Sequence, residues 1–127
     1  DLDVVIAGVS GSQFQLFRND GGMQFTDITF GCGLGVCQDV VCVSAADIDN
    51  DGNVDLFVGN HFSLSQIFMN QGGGIFVEQG AMRGMTNVDS NYSACFGDYD
   101  RDGWLDLYIG NRQDSVTLYQ QALSQYG

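Results

Sequence analysis

Two stretches of the chain crowd carboxylates at a spacing that suits a metal ion. The first is Asp47-Ile48-Asp49-Asn50-Asp51-Gly52-Asn53-Val54-Asp55, and the second is Asp98-Tyr99-Asp100-Arg101-Asp102-Gly103-Trp104-Leu105-Asp106. In each, acids stand at positions 1, 3, 5 and 9 and glycine at position 6. Carboxylates on alternate residues of a tight loop converge on one point, and glycine supplies the positive-φ turn that closes it. The residue at position 7, Asn53 or Trp104, is placed to offer its backbone carbonyl. A hard cation that takes about six to eight oxygen ligands fits such a loop, and calcium fits better than magnesium, which keeps several of its waters. The expected ligand sets are therefore Asp47, Asp49, Asp51, Asn53 and Asp55, then Asp98, Asp100, Asp102, Trp104 and Asp106, with one calcium in each. Read only as solvated acidic turns, the loops would leave four carboxylates in nine residues to repel one another.

The loops are not EF-hands. An EF-hand needs a bidentate glutamate at position 12 and helices on both flanks. Position 12 here is Val58 or Ile109. Leu56-Phe57-Val58 and Leu107-Tyr108-Ile109 are short apolar runs closed by glycine, the pattern of strands buried on both faces.

The two loops lie fifty-one residues apart, and the similarity extends beyond them. Ile67-Phe68-Met69-Asn70 aligns with Leu118-Tyr119-Gln120-Gln121 at the same offset. A third copy lacks its loop: Asp3 to Gly8 matches Asp55 to Gly59 with one residue inserted, and Leu16-Phe17-Arg18-Asn19 matches Ile67 to Asn70. A period this long suits a four-stranded propeller blade. With strands named A to D, the middle repeat has all four, near 41–46, 54–58, 65–70 and 75–79. The first has B, C and D; the last has A, B and C. The expected fold is all-β, a partial β-propeller of about two and a half four-stranded blades, with the calcium loops between strands A and B. The blades are placed at 1–30 (incomplete), 38–80 (complete) and 92–127 (incomplete). Propellers close with at least about four blades. The chain is thus read as part of a larger propeller, or as a subunit whose bare strand edges are covered by copies of itself.

Phe96-Gly97 followed by the loop Asp98 to Asp106 and the strand Leu107 to Asn111 resembles the FG-GAP (or VCBS) repeat of integrin-α-like propellers. The style is that of the cartilage acidic protein family, as is the segment Asn19 to Thr29. The chain departs from integrins at Gly59-Asn60 and Gly110-Asn111, where they carry Gly-Ala-Pro. The resemblance implies a secreted or cell-surface setting and usually about seven blades. It also implies a role in adhesion, in sugar binding as a lectin, or alongside polysaccharide-cleaving domains; fold alone does not choose among these.

Composition limits the partners. Sixteen acids face four basic residues, all arginine, for a formal net charge of −12 across 127 residues. Nucleic acid and anionic membranes would repel such a chain, whereas cations would be drawn to it. No apolar run approaches the roughly 18–20 residues of a membrane span. The chain opens at Asp1-Leu2-Asp3 without a signal peptide and is read as a mature product or a fragment. Cys32, Cys37, Cys42 and Cys95 are an even set; Cys32 and Cys37 flank a short turn and are placed to bridge locally, while four small thiols is the equal alternative.

The remaining residues of interest are weaker. Trp104 at the rim is placed to stack on a sugar ring, but packing against a neighbouring loop is the favoured role. His61 has no second histidine or cysteine beside it and reads as a turn residue, not a zinc ligand. Asn91-Tyr92-Ser93 is a glycosylation sequon in an expected surface loop. No nucleophile–base pair and no phosphate-cradling loop stands out. The expectation is a calcium-binding extracellular module for adhesion, binding or scaffolding, with no catalysis of its own. Two other readings stand beside it. One is a carbohydrate-binding propeller, including an accessory to a glycan-degrading enzyme. The other is a structural subunit of an extracellular assembly. The protein or glycan ligand is not identified by the sequence.

Overall fold

The two apolar runs closed by glycine become inner strands of two of the three antiparallel sheets. The computed structural model describes residues 2–8, 14–35, 37, 39–61, 63–86 and 90–111, with the backbone of 116–119. The first sheet joins β1 (Val4–Ile6), β2 (Gln15–Gly21) and β3 (Gln24–Asp27) in sequence order. The second is a four-stranded meander of β4 (Val40–Ala46), β5 (Asp55–Asn60), β6 (Gln66–Asn70) and β7 (Phe76–Glu78). The third joins β8 (Asn91–Gly97), β9 (Asp106–Asn111) and β10 (Val116–Tyr119). The described residues contain no helix. The fold is all-β, and its unclosed series of blade-like sheets is a partial propeller.

Both faces of the second sheet are covered, which explains why its strands carry no polar alternation. Leu56, Val58 and Phe68 turn toward the first sheet and join Leu16, Phe14, Cys32, Leu34, Cys37 and Val40 in one core. Phe57, Ile67 and Met69 turn the other way and meet Leu107 and Ile109 of the third sheet in a second core. Every residue of β5 is buried.

The repeat is visible in the pairing. Ala46 faces Asp55 across β4–β5, and Gly97 faces Asp106 across β8–β9. A register shift falls between Val40 and Cys42 in one pair and between Asn91 and Ser93 in the other, at matching positions of the repeat. The bulges lie at the entry of each first strand, at the end away from its acidic loop, and locally increase the twist there.

Three expectations are settled or corrected here. The cysteines carry free thiols; Cys32 and Cys37 are buried, Cys42 is half-buried and Cys95 is exposed. Asn91 does not lie in a surface loop: it opens β8, is fully buried, and its side-chain amide donates to Ser65 Oγ. Strand pairing with β9 and a polar partner in the interior won over the local polarity of Ser90-Asn91. His61 is a turn residue whose ring packs edge-on against Tyr92, with centroids 6.4 Å apart.

Candidate metal centres

The loops grow directly from the strand ends. After Ala46 leaves β4, Asp47 accepts backbone N–H bonds from Asp51 (3.0 Å, to Oδ1) and Gly52 (3.0 Å, to Oδ2), folding the loop over its own first carboxylate. In the second loop Asp98 accepts from Asp102 and Gly103 at 3.1 Å each. Two left-handed residues make the reversal possible: Asn50 (φ 59°) and Gly52 (φ 89°), then Arg101 (φ 63°) and Gly103 (φ 92°). Sequence reasoning anticipated the glycine and missed position 4, where arginine adopts a conformation usually left to glycine or asparagine.

The last acid is the anchor. Asp55 is fully buried at the start of β5. Its Oδ2 accepts from Ile48 N (2.9 Å) and its Oδ1 from Asn70 N (2.7 Å). Burial pushes the Asp55 carboxyl above the ordinary carboxylate range, against the two N–H bonds, and the charges of Asp49 and Asp51 push the same way. Asp106 plays the same part, accepting from Tyr99 N at 2.8 Å. Asn70 was not among the expected site residues. It supports the anchor by donating Nδ2 to Val54 O (3.1 Å) while its Oδ1 accepts from Gly72 N (3.0 Å). Its recurrence as Asn19 in the first repeat is the sequence signal that pointed to it.

The structure brings together three carboxylates per loop. Ligand atoms of Asp47, Asp49 and Asp55 lie within 4.8 Å of one another, and so do those of Asp98, Asp100 and Asp106. Asp51 and Asp102 are not in these clusters. Asp51 instead takes Asn53 N (2.7 Å) and Asn53 Nδ2 (2.9 Å), and Asp102 takes Trp104 N (2.9 Å). The Asn53 side-chain amide, and then its backbone N–H, hold the Asp51 carboxyl below the usual range. Trp104 is half-buried. The two loops touch through Asn50 Nδ2, which donates to Gly103 O at 3.3 Å.

The donor set fits a hard cation. All three clustered groups are carboxylates, and Oδ1 of Asp49 is buried without any hydrogen-bond donor. Leaving a buried carboxylate oxygen unpaired is costly, and a cation where the three carboxylates meet could pair with it.

A row of blade-like antiparallel sheets, two of which carry an acidic loop between their first two strands, defines a partial propeller whose loops could hold metal ions. The FG-GAP-like repeat matches residues 1–58 and again residues 47–109, so the chain belongs to the FG-GAP-like repeat family. It is an extracellular-type propeller module, from a repeat family that is typically non-enzymatic and usually found outside the cell. Among the described residues no helix is long and apolar enough to cross a membrane. No curated protein matches the sequence significantly.

Proposed function

We propose that the chain is a calcium-stabilised extracellular propeller module serving adhesion, binding or scaffolding, with one calcium in each acidic loop. The observation that carries this reading is the buried, donorless Oδ1 of Asp49 inside a carboxylate triad that the chain builds twice. Asp47, Asp49 and Asp55 would hold one ion, and Asp98, Asp100 and Asp106 the other. Asp51 and Asp102, with the carbonyls of Asn53 and Trp104, lie in the same loops and complete the oxygen set that calcium requires. Bound calcium would supply positive charge at the point where the carboxylates meet. The loops are preshaped by backbone N–H bonds, so their ordering does not depend wholly on the ion.

The test is calcium titration by calorimetry, with thermal melting in calcium and in chelator. Two equivalents per chain are expected. At a free concentration of about 100 times Kd, each site adds about 2.7 kcal/mol to folding stability. A melting curve indifferent to chelator, together with no heat of binding, would overturn the reading.

A further inference from the structure

The two acidic loops touch through a residue that stands in neither carboxylate cluster. Asn50 lies between Asp49 and Asp51, and its backbone is left-handed (φ 59°). Its Nδ2 crosses to the second loop and donates to Gly103 O at 3.3 Å, fifty-three residues along the chain. Gly103 helps to close that loop. Its N–H donates to Asp98 Oδ2 (3.1 Å), and Asp98 is one of the three carboxylates of the second cluster. A short path therefore runs from Asp49 through Asn50 and Gly103 to Asp98.

The supports of the two loops are also joined in the interior. Asp55 holds Ile48 N (2.9 Å), and Ile48 packs in the same core as Leu107, the residue after Asp106. Asp106 in turn holds Tyr99 N (2.8 Å). That shared core fixes where the loops stand beside each other. The Asn50 bond depends in addition on the shape that each loop holds.

We propose that Asn50 couples the two candidate calcium sites, so that filling either loop raises the affinity of the other. This rests on the calcium reading of the loops. With Asp47 and Asp49 held by an ion, the backbone that aims the Asn50 amide is fixed. The amide then holds the Gly103 carbonyl where Gly103 N reaches Asp98, and the second loop has less freedom to lose when it fills. Linkage makes the effect reciprocal. One net hydrogen bond contributes about two- to tenfold in affinity. Repulsion between two bound ions acts against this, but it is the same whether or not position 50 carries an amide.

Asn50→Gly is the test. Glycine accepts the left-handed backbone, leaves the charge unchanged and removes the bond. Calcium is titrated into the native chain, Asp49→Ala, Asn50→Gly and the double variant. The second loop is followed by calorimetry and by the fluorescence of Trp104, the only tryptophan. Disabling the first loop with Asp49→Ala should weaken the second by about two- to tenfold more in the native background than in the Asn50→Gly background. The charge removed is the same in both, so it cancels from the ratio. Hydrogen exchange reads the coupling without an ion in the second loop. In Asp100→Ala, calcium should slow exchange at Gly103 N, and adding Asn50→Gly should abolish that slowing. Equal or smaller weakening in the native background, or exchange indifferent to Asn50, would overturn the coupling and leave the calcium reading standing. No heat and no fluorescence change in any of these chains would overturn both.

Discussion

Two carboxylates of one cluster do different work, and mutation should separate them. Asp49 presents a buried oxygen with no donor, so it gives the fold nothing that calcium does not collect. Asp49→Ala should lose one equivalent of calcium and leave stability in chelator unchanged or raised. Asp55 holds two backbone N–H groups, one from the loop and one from β6. Asp55→Ala should lose the same equivalent and also about 2–4 kcal/mol in chelator, because two interior donors lose a charged acceptor. Calorimetry and urea denaturation of both variants check this; equal stability losses would show that the anchor role is misassigned. The thiols separate in a similar way. Burial, with Cys32 and Glu78 adding to it, pushes Cys37 up to about 12. Iodoacetamide at neutral pH should therefore label exposed Cys95 first and reach Cys32 and Cys37 only on unfolding, which mass spectrometry reads directly. With its folded value above its unfolded value of 9.0, the stability that protonated Cys37 contributes is complete below about pH 9 and is lost as pH rises toward 12. Cys37→Ala should flatten that alkaline decline.

At the scale of elements, β5 and β9 are equivalent strands whose glycines meet different neighbours. A Cβ on Gly59 would stand 2.5 Å from Cys42 Sγ and 3.0 Å from the backbone oxygen of Asn91, where β8 enters. A Cβ on Gly110 would meet Ser93 Oγ at 2.6 Å, a hydroxyl that rotates away, and nothing else closer than 3.9 Å. Gly59→Ala should cost about 1–3 kcal/mol by overpacking, and Gly110→Ala well under that; chemical denaturation of the pair decides it. Those strands were legible in the sequence because both their faces are buried, which leaves an apolar run such as Leu56-Phe57-Val58 with no polar interruption. The loops were legible because their chemistry is local: acids two residues apart around a glycine. What escaped reading depends on partners distant in sequence. Asn91 looks like a loop residue until Ser65 is beside it. Arg83 is charged yet only 2% exposed, its Nε donating to Gln79 Oε1, and no local pattern announces that.

For the whole molecule the dominant quantity is charge. A formal net charge of −12 presses outward on a fold of 127 residues, and two divalent ions would remove a third of it. Raising ionic strength in chelator should therefore raise the melting temperature, and the same change in saturating calcium should raise it less. Equal salt responses in the two conditions would show that the ions do not relieve this repulsion. The contact from Asn50 to Gly103 adds a short bridge between the loops. Ile48 has a further consequence. It sits between two clustered carboxylates and is also fully buried in the core that binds the second sheet to the third. A force that peels those sheets apart must draw Ile48 out of its seat, and so must deform the loop that positions Asp47 and Asp49. We predict that the tension at which the interface ruptures rises with free calcium. Single-molecule pulling across a chelator titration would measure it, and a rupture tension indifferent to calcium would uncouple the ion from the joint. A module of this kind, loaded in series outside the cell, would have a mechanical strength set by the calcium around it.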